Sequence, residues 1–578
     1  MQSLSLQLSA VLFLTLALGA CVGPDPFPDE VDPRDLAAEW ALVSGGSIWT
    51  SATATTAVDA VLARDGIVVA VGGMEEVLDS LPEGVDVTRV NLAGGVAVPG
   101  LVDAHGHLFN LGAQLENVDL IGCASFAEVV QRVTTAAKGR PEGTWILGRG
   151  WDQTLWPEPS FPHHGELSDA LPDHPVLLTR VDGHALIANR AVLALADLDR
   201  AYTQEPVIEG GRMLLDDENL PTGVFIDAAM RMVRSVLPQE DQAALEARAL
   251  KAQERLLSVG LVAIHEMGLA AQQIEILESL ESQGLLRVRV IGYLWGNEPI
   301  AQELLDRYPG ERDLDPAARL RIIGAKLMLD GAMGSRGAAL LEPYSDAPTE
   351  QGLMRMDADA FQARLAEVAG AGLQPATHAI GDRANRLVLD AYAARMGTDA
   401  GFRALRPRIE HAQLVSLPDL RRFGELGIIP SMQPTHCTSD MRWVETRVGT
   451  QRAGGAYAWK TLGSSAAPLA FGSDCPVERP DPLEGIYAAR TRMDKEGVPL
   501  GGWFPDERMN AAEALAGFTT GAAFAANEDS LRGKIEPGRA LDLSVFDVNP
   551  LCGDAEVGEL LRAKALMVLI NGKVEFQR

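Results

Sequence analysis

The chain has 578 residues, 47% of them hydrophobic, 22% charged and 5% aromatic, with 57 Gly and 33 Pro. It is too long for one small module and too apolar for a disordered chain, so one large catalytic-size domain with additions is expected. Asp and Glu outnumber Lys and Arg by 79 to 50, a formal net charge of −29, which repels phosphate backbones and argues against a nucleic-acid partner.

Residues 1–20 read as a signal peptide whose apolar core, Leu8 to Leu18, is too short to span a bilayer. The core runs into Leu18-Gly19-Ala20-Cys21, and small residues at this point suit a signal peptidase. A Cys directly after them resembles a bacterial lipobox, which implies lipidation of Cys21 and an extracytoplasmic protein in the periplasm or on the outer membrane. Residues 21–45 then serve as a lipid-anchored tether, Pro- and Asp-rich from Val22 to Asp35. Met1 to Gln7 lacks the Lys or Arg with which signal peptides normally begin. The alternative is a cytoplasmic chain with an apolar N-terminal helix docked on its body. Any contact with a membrane comes through the anchor, since no apolar run has the length and flanks of a spanning helix.

From residue 46 to 92 the pattern is short strands and turns: Ala60 to Leu62, Gly66 to Val71, Val85 to Leu92. Residues 533–578 repeat it, with Leu541 to Phe546 and Ala565 to Ile570. Each half alone exposes unpaired edges, so the two are expected to pair into one composite β-sandwich. Between them, over 93–532, eight apolar runs alternate with helix-like sequence. They are Val96 to Asp103, Gly260 to His265, Leu286 to Leu294, Leu320 to Leu329, Leu373 to His378, Arg408 to His411, Ile428 to Gln433 and Leu469 to Asp474. Intervening stretches such as Asp359 to Ala371 and Arg383 to Met396 have helical composition. The fold class is α/β, a (β/α)₈ TIM barrel, in which the residue ending each strand faces the active-site mouth. The gap between the first and second runs far exceeds a βα loop, so residues 108–258 form a large insert, read as a lid.

His105 and His107 end the first strand two residues apart, on one side by strand alternation, and two imidazoles so placed can bind one metal ion. His378 and His411 end the fifth and sixth strands, Asp474 ends the eighth, and Lys326 lies in the fourth. The chain has only ten histidines, and four fall at strand ends in register with the fold. HxH, Lys, His, His and Asp at these places resembles the amidohydrolase superfamily. The stretches Leu147-Gly148-Arg149-Gly150-Trp151-Asp152, Asp182-Gly183-His184 and Asp330-Gly331-Ala332-Met333-Gly334-Ser335-Arg336-Gly337 are similar to its amidohydrolase 3 branch, that of N-substituted formamide deformylase-like and YtcJ-like proteins.

The resemblance implies a metal-dependent hydrolase acting on a non-peptide C–N bond of a small molecule through a metal-activated hydroxide. It implies one or two divalent ions, expected to be Zn²⁺, held by His105, His107, Lys326, His378, His411 and Asp474. Two ions need an anionic bridge, and carbamylation of Lys326 by CO₂ would supply one; a buried, ion-paired lysine beside a single metal is the alternative. Asp474 is expected to take the proton of the attacking water and deliver it to the departing nitrogen. His436, after the seventh strand, is expected to touch substrate or support the oxyanion rather than pack in the core. His265, Arg336, Trp151 and His184 are the further substrate-binding candidates. Arg336 could equally make a loop salt bridge, and Trp151, Trp156 and His184 could instead form the core of the insert. Glu410 is expected to point away from the pocket as a structural partner. Cys123, Cys437, Cys475 and Cys552 form no metal knuckle, although Cys437 and Cys475 follow neighbouring strands. Hydrolysis of an ester, lactone or phosphoester on the same site, or a catalytically silent binding lipoprotein, are the alternatives.

Overall fold

The computed structural model describes residues 40–578 apart from 83–84, 182, 184, 205, 207, 209–210, 239–240 and 311–313. Residues 1–20, read as a signal peptide, Cys21 and His184 therefore lie outside the described residues. Among those described, no helix is long and apolar enough to cross a membrane.

Eight parallel strands form the barrel sheet: Leu101–Gly106, Leu261–Leu269, Arg289–Trp295, Leu320–Met328, Gln374–Ala379, Arg408–His411, Ile429–Met432 and Ala470–Phe471. They pair in chain order, and the ring closes where the chain after the eighth strand meets the first. There Asp474 N donates to His105 O at 2.7 Å and His107 N to Cys475 O at 2.8 Å. Both faces of these strands are covered, the inner by barrel side chains and the outer by helices, which explains their near-continuous apolar character. Helices Ala358–Gly370 and Asp382–Thr398 match the two amphipathic stretches; Asp357 caps the first by accepting from Ala360 N.

The chain ends do meet in one eight-stranded sheet, built from Trp40–Ile48, Val58–Arg64, Ile67–Gly72, Thr88–Asn91 and Val96–Pro99 with Leu543–Phe546, Ala565–Ile570 and Lys573–Gln577. Val96–Pro99 lies antiparallel to Leu543–Phe546 and parallel to Trp40–Ile48, so the block of strands from one end joins the block from the other at this strand. The sheet curls until its far parts touch, Ile67 bridging Ala540, and Val43, Val61, Ala97, Leu543 and Leu569 share one buried core.

Three boundaries differ from expectation. The first apolar run, Val96 to Asp103, is split at Gly100: residues up to Pro99 belong to the end sheet, and the barrel begins at Leu101. A Cβ on Gly100 would lie 2.7 Å from Val262, so only glycine lets the chain pass between the two bodies. The end sheet also starts at Trp40, not residue 46. Within 108–258, helices Leu108–Glu116 and Gln242–Ser258 pack into the main barrel core. Gly112 lets them touch, since a Cβ there would stand 2.3 Å from Arg248 O. The separate body of the insert is the six-stranded sheet between them, from Val118–Asp119 to Pro221–Asp227, with cores of its own.

Barrel and end sheet are clasped by buried charge. Asp542 Oδ2 accepts from Arg289 at 3.0 Å and from Arg532 at 2.8 Å, while Oδ1 accepts from Asn571 N at 2.8 Å. Ser544 Oγ accepts from Leu101 N at 2.8 Å and donates to Gly260 O at 2.6 Å, joining the C-terminal sheet to the first two barrel strands.

Candidate metal centre and active site

The six expected ligands converge at the C-terminal mouth of the barrel. The donor atoms of His105, His411 and Asp474 all lie within 4.8 Å of one another. His107 Nε2 stands 3.1 Å from Asp474 Oδ1, and Lys326 Nζ stands 3.3 Å from His105 Nε2. The His378 ring centroid is 4.5 Å from that of His411.

Each side chain is positioned by its strand and a partner behind it. Asp103 Oδ1 accepts from His105 N at 3.1 Å and Ser473 N at 2.9 Å, locking the first strand to the turn that carries Asp474. Gly472 permits this approach, because a Cβ there would be 2.5 Å from Asp103 Oδ1. Asp474 (φ 57) and His411 (φ 72) both sit in the left-handed region, backbone strain of the kind held at functional sites.

Two imidazoles have one nitrogen committed to a buried partner and one left for the centre. His105 Nδ1 is 2.6 Å from Glu410 Oε2, and His411 Nδ1 is 2.8 Å from Gln433 Oε1. A ring nitrogen held in this way fixes the orientation of the other, as metal-binding histidines require. Asp330 accepts from Ala339 N, Ile380 N and Gly381 N at 2.8–3.0 Å and so holds the loops after the fourth and fifth strands together. His378 Nε2 lies 3.3 Å from Asp330 Oδ1 but is not aligned for a hydrogen bond.

The barrel interior beneath the centre is ionic. Arg408, fully buried, donates to both oxygens of Glu410, to Ala104 O and to Ser431 Oγ at 2.5–3.0 Å, and to the Tyr293 hydroxyl at 3.1 Å. Its remaining contact, at 3.0 Å, is His265 Nδ1.

Burial dominates the protonation of the site, because a charged form loses its hydration there. It pushes His105 down to about 3, with the Lys326 charge adding to the effect. His411 is held well below the ordinary range by burial and then by His378. Both rings are thus neutral and able to ligate. Burial brings Lys326 down to about 8, so its neutral amine is accessible near neutral pH. Against burial, the hydrogen bond from His107 leads the interactions that hold Asp474 well below the carboxylate range. Burial also opposes charge on His107, yet its hydrogen bond to Asp474 raises it above its ordinary value. Despite its burial, Glu410 is kept ionised chiefly by Arg408.

Several expected contacts fall elsewhere. Glu410 points into the barrel, not away from it: the left-handed turn at His411 breaks the alternation, so both neighbours serve the site. His265 is buried against Arg408 and does not face the mouth. Arg336 makes the loop salt bridge, Nη2 to Asp346 Oδ2 at 3.0 Å. Trp151 is 1% exposed within a core of the insert, its Nε1 donating to Leu178 O, and Trp156 packs with it. Cys437 and Cys475 are both buried free thiols. His436 does reach the centre: its Nε2 is 3.9 Å from Asp474 Oδ2, and its ring stacks 6.1 Å from His411. Arg408, Tyr293, Asp330 and Gln433 were not expected at the site.

A parallel eight-stranded barrel with neutral imidazoles, a carboxylate and a lysine gathered at its C-terminal mouth defines a metal-dependent hydrolase scaffold. The amidohydrolase 3 model, described as amidohydrolase family, matches residues 88–576, and the chain belongs to that family. It is 31% identical over 545 residues to Protein LONG AFTER FAR-RED 3 of Arabidopsis thaliana, covering 92% of this chain and 91% of that one. It is 27% identical to N-substituted formamide deformylase of Arthrobacter pascens, covering 95% and 96%. A crystal structure of an uncharacterised metal-dependent hydrolase from Pyrococcus horikoshii superposes with TM-score 0.74 at 30% identity, covering 89% of this chain and 98% of that one.

Proposed function

We propose that this protein hydrolyses a non-peptide C–N bond of a small molecule at the centre built by His105, His107, Lys326, His378, His411 and Asp474. The observation that carries the reading is the donor set itself: His105, His411 and Asp474 offer mutually close atoms, and Glu410 and Gln433 turn each imidazole toward them. Those residues fit a divalent cation of the zinc type, whose nitrogen and carboxylate ligands they supply. When bound, such an ion activates water at neutral pH and polarises a carbonyl.

This chain's own groups do the rest. Asp474, ionised and within 3.9 Å of His436, accepts a proton from the attacking water and returns it to the departing nitrogen, which leaves poorly as an anion. His436 is placed to contact the carbonyl oxygen as negative charge grows there. Lys326 has no directly paired carboxylate among the described residues, which favours a carbamate over an ion-paired ammonium, and a carbamate could bridge a second ion. The relative that deformylates N-substituted formamides supports the C–N assignment.

Metal analysis by plasma mass spectrometry of protein produced with zinc and bicarbonate tests the centre. About two ions per chain are expected, falling to about one in Lys326→Ala, with hydrolysis of N-acyl or N-formyl amines abolished by chelation and restored by zinc. Fewer than one ion per chain would overturn the reading.

The resemblance of Leu18-Gly19-Ala20-Cys21 to a lipobox supports an anchor at an extracytoplasmic membrane surface. Detergent-phase partitioning is expected for the wild type and lost in Cys21→Ser; equal partitioning of both would exclude the anchor.

A further inference from the structure

Trp295 ends the third barrel strand at the same mouth, yet takes no part in the centre just described. It is 39% exposed, and an indole left partly in water beside an active site is apolar surface available to a ligand. Trp295 is in register with Lys326 on the neighbouring strand, and registered neighbours on paired strands project to the same side. Gly268 shows how near the two are. It lies where the second strand slips register, with φ +109, and a Cβ there would stand 3.1 Å from the indole ring and 3.9 Å from Lys326 Cγ. Any larger residue at 268 would crowd the ring and strain the backbone.

The indole is also held in place. Its Nε1 donates to Glu298 Oε2 at 2.6 Å. Asn297 staples the same loop to the fourth strand, accepting from Met328 N at 2.7 Å and donating to Met328 O at 3.3 Å. A flat apolar face fixed before binding costs little further ordering when a ligand docks on it.

Strand order sets which part of a substrate meets this face. Asp474 follows the eighth strand, and the fourth strand, with Lys326, is opposite it in the ring. If Asp474 protonates the departing nitrogen, that nitrogen faces the eighth strand, and the group borne by the carbonyl carbon faces the third and fourth. We infer that Trp295 is a specificity-determining platform for a flat, aromatic acyl substituent. The inference rests on the hydrolytic reading above and adds the substrate class to it.

Calorimetric titration of the zinc-loaded full chain with acetate, benzoate and benzylamine tests it; the two carboxylates mimic the acid products of a small and an aromatic amide. The wild type is expected to bind benzoate more tightly than acetate. Trp295→Ala should weaken benzoate about 2- to 10-fold, the scale of one aromatic contact, with acetate affinity and metal content unchanged and with Trp295→Phe keeping most of the preference. Equal binding of benzoate and acetate by the wild type would overturn the inference and leave the hydrolytic reading standing. A loss confined to benzylamine would overturn the acyl assignment. Binding of neither carboxylate by the metal-loaded protein would count against the hydrolytic reading and the inference together.

Discussion

Arg408→Met is expected to destabilise the protein by about 3–5 kcal/mol, measured by denaturant unfolding of the metal-free form, because it strands the carboxylate of Glu410 in the barrel interior. Both side chains of this pair are completely buried, so no water can take the place of the guanidinium. The variant also leaves the Tyr293 hydroxyl, Ser431 Oγ and Ala104 O without their shared donor. Glu410→Gln should behave differently. A neutral amide keeps the shape and one hydrogen-bonding oxygen, so stability falls less, while His105 loses the anionic partner on its Nδ1. Metal affinity is then expected to drop about 10- to 100-fold, the usual effect of removing a partner behind a ligand. Competition with a chelating dye reads this directly. Unchanged affinity in Glu410→Gln would mean that Glu410 serves only the core.

Asp474→Asn is the second large effect. The amide preserves the size of the side chain but cannot accept the proton of the attacking water, and turnover should fall about 10²- to 10⁴-fold, the range of a lost general acid–base. The pH profile is diagnostic. A residual rate with the same pH dependence as the wild type would remove Asp474 from the proton path. The variant should still fold, since its backbone bonds, Asp474 N to His105 O and Val477 N to Asp474 O, do not involve the carboxylate.

The candidate His and Asp ligands could be picked out of the sequence because they lie at or beside strand ends, where an apolar run followed by a lone His or Asp is visible without coordinates; Lys326, within the fourth strand, stood out only through the resemblance. The partners behind the ligands were not. Arg408 and Glu410 read as ordinary strand residues, and alternation assigned Glu410 to the wrong side because nothing in Arg408-Ile409-Glu410-His411 announces a left-handed His411. Trp151 illustrates the converse. An indole in a motif shared with the family suggests a pocket wall, whereas its Nε1 is satisfied by Leu178 O inside the insert. Arg336 could be read either way until Asp346, ten residues further on, was seen to fold back onto it. The split at Gly100 was hidden for a related reason: two strands of different sheets follow each other with one residue between them, and hydropathy cannot distinguish that from one long strand. Trp295 closes a run of apolar residues, and hydropathy gives no sign that its indole stays partly exposed.

Leu101, where the barrel begins, donates to Ser544, 443 residues later in the chain, and Val96–Pro99 lies between a strand from each end. Strands made first thus have no complete set of neighbours until the last are made, and closing so long a loop is slow compared with local pairing. During its synthesis the polypeptide must therefore remain short of its native state, with the first barrel strand waiting for both the eighth strand and the C-terminal sheet. A chain that delays its own folding in this way is one that can still be threaded, unfolded, through a narrow pore.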